Sequence, residues 1–111
     1  MIVPHKDEFY KCFHCLREYK VFEVNQSWRC PICTKPISIK VEIDGFFHNC
    51  NRIMPSEINS RFSLVLENKK SYKIINITRN GDNYNFALKG YSVICFQKND
   101  LLLVINGGWY E

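Results

Sequence analysis

Histidine is scarce in this chain: three residues in 111, and none beyond His48. The second half therefore has no imidazole to serve as a general base. Its acids, Glu57, Glu67, Asp82, Asp100 and Glu111, fall in turns or at the chain end and form no facing pair. A glycine-rich phosphate loop, a dinucleotide fingerprint and an internal repeat are also missing. No run of eighteen apolar residues occurs, and the first eight residues lack the basic start and apolar stretch of a secretory signal. These absences lead us to expect a soluble, cytoplasmic protein that is not an enzyme, enters no membrane and has no evident small-molecule substrate. An excess of one charge sign is missing too: seven basic residues face six acidic ones up to Gly45, and eight face five after it.

Cysteine, by contrast, is abundant. Four of the six form two couplets, Cys12-Phe13-His14-Cys15 and Cys30-Pro31-Ile32-Cys33, separated by fourteen residues. Two C-x-x-C pairs at that spacing read as one four-thiolate zinc site, because each couplet places two sulfurs on one side of a tight turn. A disulfide framework fits less well without a secretory signal. Four cysteines close the coordination sphere, so His14 is expected to face solvent and the single Zn²⁺ to be structural rather than catalytic. The four thiolates and the ion bring the formal charge from +4 to about +2. An iron site on the same ligands is the lesser alternative.

Around the first couplet, the spacing of Tyr19, Val21 and residues 23–24 predicts a short half-buried strand, and Asn25-Gln26-Ser27 predicts a turn. Trp28-Arg29-Cys30-Pro31-Ile32-Cys33-Thr34-Lys35-Pro36-Ile37 follows. Over about residues 8–38 this pattern resembles the zinc-ribbon family, including its rubredoxin-like variety, in which an aromatic residue precedes a C-P-x-C knuckle. The resemblance implies two knuckles that meet at the metal, with Trp28 covering it. Thr34-Lys35 departs from the family, where such knuckles often carry glycine.

Ile37, Ile39, Val41 and Ile43 alternate with polar residues up to Asp44-Gly45, the dipeptide of a two-residue hairpin turn. That turn would set Ile43 opposite Phe46, Val41 opposite His48 and Ile39 opposite Cys50. His48-Asn49-Cys50 matches an intein junction, but too little chain precedes it to form a splicing domain. Further short strands are expected near 61–67, 72–79, 83–89, 91–96 and 101–105, with Asn106-Gly107-Gly108 closing the series. Cys95 is expected in the core. With Pro55-Ser56-Glu57-Ile58, then Phe62-Ser63-Leu64-Val65-Leu66 and the return run Tyr72-Lys73-Ile74-Ile75-Asn76-Ile77, residues 53–111 resemble small barrels of the Src-homology or Hint-like type. The expected fold is therefore all-β. A zinc ribbon and its following strand occupy 1–44, and a small antiparallel barrel or sandwich, packed on it, occupies 45–111.

Function is then expected from surface contact. Lys11, Arg17, Lys20, Arg29 and Lys35 gather near the knuckles, with Phe13, Tyr19 and Phe22 available to stack on bases, which points to nucleic acid or a nucleic-acid-processing complex. Glu8, Glu18 and Glu23 would balance those charges if the face is only solvated. The alternative is a protein-binding adaptor or inhibitor of a host protein. It would use Trp109 and Tyr110 as an anchor after a flexible double glycine, or fold them back to plug the barrel. Richness in Ile, Lys, Asn, Tyr and Phe suggests a low-GC bacterium or its phage. A rubredoxin-like electron carrier is the third reading.

Overall fold

The hairpin at Asp44-Gly45 sets the register of the sheet. In the computed structural model, which describes residues 8–109, Asp44 and Gly45 have φ of 53° and 84°. Two left-handed residues match a two-residue turn to the twist of its strands. The turn joins β3 (Ser38–Ile43) to β4 (Phe46–Ile53), with Ile43 opposite Phe46, Val41 opposite His48 and Ile39 opposite Cys50, as expected. Cys50 is fully buried and His48 half-buried.

Two strands precede the hairpin, β1 (Phe9–Cys12) and β2 (Arg17–Tyr19), and five follow: β5 (Ser63–Val65), β6 (Ser71–Asn80), β7 (Asn83–Leu88), β8 (Ile94–Gln97) and β9 (Leu102–Gly108). They form one antiparallel sheet in the order β2-β1-β3-β4-β9-β5-β6-β7-β8. β6 changes partner along its length, pairing with β5 through Ser71–Lys73 and with β7 from Ile74 onward, across a bulge between Ile74 and Asn76. A bulge bends its strand. The bend brings Phe86 and Leu88 of β7 into one core with Ile53, Leu64 and Val104. A second core joins Tyr10, Trp28, Ile37, Ile39, Val41 and Ile43. β9 serves both: Leu103 faces the hairpin core, while Leu102 and Val104 face the other.

Several local expectations differ from the structure. The expected strand through residue 24 stops at Tyr19, and a single helical turn, α1 (Val21–Val24), takes over. Glu23 drives this change by accepting the Lys20 amide at 2.9 Å, while Val24 is buried beneath. The strand expected near 91–96 begins only at Ile94: a turn through Gly90, with φ of 75°, is closed by the Tyr91 amide donating to the Leu88 carbonyl at 3.3 Å, and the Tyr91 ring tilts against Tyr72 with centroids 4.9 Å apart. Cys95 is exposed rather than in the core. Ile94 and Phe96 pack inward from β8, so the residue between them points outward on a strand covered on one face only. Gly107 and Gly108 are not a flexible spacer: they pair with Asn49 and His48 and satisfy the backbone at the start of β4.

A buried ion pair ties the chain start to β4. Glu8 accepts two hydrogen bonds from Arg52, each 2.7 Å, with side chains 1% and 4% exposed, and a third from the Tyr10 hydroxyl at 2.7 Å. The Arg52 guanidinium lies 4.3 Å over the Trp28 ring. Burial, then the neighbouring Glu8 carboxylate, pushes the Tyr10 phenol well above its ordinary pKa. Removing one member strands a buried charge. We therefore expect Glu8→Ala to cost about 3–5 kcal/mol in urea unfolding, and Arg52→Met with Glu8→Gln together to cost less than Glu8→Ala alone.

Candidate metal centre

The two couplets are tight turns held by their own backbones. In the first, the Cys15 amide donates to Cys12 Sγ at 3.4 Å. In the second, the Thr34 amide donates to the Cys30 carbonyl at 2.9 Å, and the Cys30 amide to the Lys35 carbonyl at 2.9 Å. The residue after each couplet is left-handed, with φ of 56° at Leu16 and 63° at Thr34. Thr34 thus adopts a conformation that favours glycine, at the cost of its β-branched side chain. The two turns share this left-handed exit and bring their sulfurs together.

The sulfurs of Cys12, Cys15, Cys30 and Cys33 all lie within 4.8 Å of one another. Cys12 Sγ is 3.5 Å from Cys33 Sγ, and Cys30 Sγ is 3.9 Å from Cys15 Sγ. A tetrahedral ion with metal–sulfur bonds of about 2.3 Å needs sulfur–sulfur edges of about 3.8 Å. The donor set fits such an ion. His14 is exposed, and Lys35 Nζ lies 3.4 Å from its Nδ1. Trp28 is buried behind the second couplet, sharing a core with Cys12 and Cys30 and stacking near Tyr10 at 5.9 Å.

The thiols are electrostatically unequal. Burial alone would raise Cys30, but the Tyr19 hydroxyl at 3.3 Å and the amides of Cys33 and Ile32 bring it down to about 6. Burial and the neighbouring sulfurs push Cys15 up to about 12, and burial raises Cys12 despite the Cys15 amide. Tyr19 is therefore an outer partner of the sulfur cluster. It is buried, which removes it from the expected base-stacking set.

The expected basic residues are distributed unevenly. Arg17 lies opposite Cys12, 5.7 Å from the Tyr19 ring, and Lys11 Nζ sits 4.9 Å over Phe13. Lys20 is exposed. Arg29 is committed elsewhere, donating to Glu57 at 2.6 Å and to the Thr34 carbonyl at 3.2 Å. Of the acids expected to offset them, Glu8 is taken by Arg52 and Glu23 caps α1. Trp109 neither dangles nor plugs the C-terminal core: it packs against Phe9 and Phe13 beside the first couplet. Tyr110 lies outside the described residues. Phe9, Lys40 and Phe47 lie outside the expected set, although the adjacent pair Phe46-Phe47 on a strand forces one ring onto the outer face. Among the described residues no helix is long and apolar enough to cross a membrane. No family model, curated protein or solved structure matches the chain.

At pH 7 the Cys12 and Cys15 thiols are protonated, so loading a divalent ion expels at least two protons. Metal affinity should therefore rise at least about a hundredfold per pH unit through neutrality and fall on acidification, with Cys30 joining the protonated set below about pH 6. Chelator competition across the neutral range reads this slope. Leu16, exposed and left-handed, gives a second check: Leu16→Gly should stabilise the metal-loaded protein by about 1 kcal/mol in thermal unfolding.

Proposed function

We propose that the protein is a non-catalytic module in which a structural Zn²⁺, held by Cys12, Cys15, Cys30 and Cys33, fixes a surface that contacts nucleic acid. The carrying observation is a closed set of four sulfurs with basic side chains around the first couplet. Four like ligands leave no coordination position for water or substrate, so the ion's contribution is folding energy, on the order of 10–16 kcal/mol in zinc-finger peptides. Lys11 and Arg17 flank Cys12 in the β1–β2 pair, and Lys35 reaches the same couplet through His14. Phosphate contact from such side chains gives affinity without sequence choice.

Metal identity is read directly: zinc gives a colourless protein with one equivalent of bound metal, whereas iron–thiolate absorbance in the as-isolated protein would replace this reading with the electron-carrier one. Binding is read by titrating a labelled oligonucleotide at several salt concentrations. Arg17→Ala and Lys35→Ala should each weaken binding and flatten the log–log salt slope by about 0.7, whereas Arg29→Ala, already paired with Glu57, should change it less. No oligonucleotide binding at low salt overturns the proposal. A protein partner is the second reading, favoured by the apolar side chains of Leu16, Phe22 and Ile32 at the exposed tips of this half.

A further inference from the structure

The outward face of the metal-bearing half is aromatic where a solvated sheet face would be polar. On β1, Phe9 and Lys11 alternate with the buried Tyr10 and Cys12, so they share the opposite face. Register carries that face across the sheet: Phe9 lies opposite Lys40 of β3, Lys40 opposite Asn49 of β4, and Asn49 opposite Gly107 of β9. Phe47, two residues before Asn49, shares it. Trp109 completes the row, with its ring centroid 5.9 Å from Phe9 and 5.1 Å from Phe13, both edge-on, and its amide 3.4 Å from the Phe47 carbonyl.

These rings are accessible: Phe9 is 37%, Phe13 38% and Phe47 50% exposed, and Trp109 is half-buried. Lysines lie on them. Lys40 Nζ sits 4.4 Å over the Phe47 ring and 5.9 Å from Trp109, and Lys11 Nζ sits 4.9 Å over Phe13. Gly107 keeps the centre of the patch open, since a Cβ there would meet nothing within 4 Å. Glu18, opposite Lys11, and Glu42, opposite Phe47, flank the row, so the patch is not broadly basic. At Asn49, beside the open centre, the side-chain oxygen is buried without a hydrogen-bond partner among the described residues.

We propose that this face is a stacking platform for the unpaired bases of single-stranded nucleic acid, a proposal that rests on the nucleic-acid reading above. Bases of every kind offer a flat π surface to a tryptophan or phenylalanine ring, and the Lys11 ammonium, already poised on Phe13, can turn to a phosphate between bases. A duplex hides its base faces in its own stack and offers only phosphates. With acids on both flanks, charge contributes little here and ring contact dominates.

The test uses the full-length zinc-loaded protein, a labelled oligothymidylate and a duplex of equal length, titrated by fluorescence anisotropy over a range of salt. The expected result is preference for the single strand and quenching of Trp109 emission on binding. Phe47→Ala and Trp109→Ala should each weaken binding by about 5-fold to about 100-fold at every salt concentration, with the salt slope unchanged. Trp109→Phe should retain most of the affinity. Phe47→Ala, on a half-exposed ring, keeps the test valid if Trp109→Ala folds poorly. Wild-type affinity in both alanine variants, with binding lost in Arg17→Ala and Lys35→Ala, overturns the platform while the nucleic-acid reading stands. A preference for the duplex overturns it equally. No binding of either oligonucleotide overturns the platform and the nucleic-acid reading together.

Discussion

Four sulfur atoms from two turns must share one small volume, and most of the first half is arranged to make that possible. Cys12 ends β1, and Cys30 follows a left-handed Trp28, so the strand and the core tryptophan are positioned by the same residues that place the ligands. An ion at the centre would exchange the protons of raised thiols for metal–sulfur bonds. Without it, the same sulfurs would be crowded polarisable groups at the edge of the hairpin core, and the two left-handed residues after the couplets would be strain with no return. The geometry of the two turns is thus conditional on their ligand chemistry.

The second constraint is the shared wall between the two cores. β4 and β9 run side by side from His48 to Ile53, and the inward residues of β9 alternate between cores. A disturbance of this pair reaches both halves. The Glu8–Arg52 bridge adds a fixed point within the hairpin core, where Arg52 is held by a carboxylate on one side and an indole on the other. Two modest cores coupled through one strand pair can thereby behave as one folding unit.

Much of this was legible from local pattern. The all-β class followed from short alternating runs, the hairpin register from Asp44-Gly45, and the sulfur cluster from the couplet spacing, because each depends on residues close in sequence. The misses came where distant residues decide. Cys95 sits in an apolar run, but β8 is an edge strand and one of its faces is open. Gly107-Gly108 reads as a linker until β4 supplies a partner for its backbone. Val21–Val24 is the exception, a local miss: Glu23 folds back to accept the amide of Lys20, three residues before it. The aromatic row on the outer face comes from β1, β3, β4 and the end of β9, and no window of the sequence contains it.

The position of β9 also governs how the molecule assembles. It is last of the described strands in the chain, yet it lies in the interior of the sheet, inserted between β4 and β5. During synthesis, β3 and β4 can close their hairpin early, but the far edge of β4 stays unpaired until residues 102–108 have emerged. Cys50 and Ile105 are neighbours in the finished sheet although more than half the described chain separates them. Such non-local closure is slow, so the nascent protein carries an open strand edge while the residues between β4 and β9 are made.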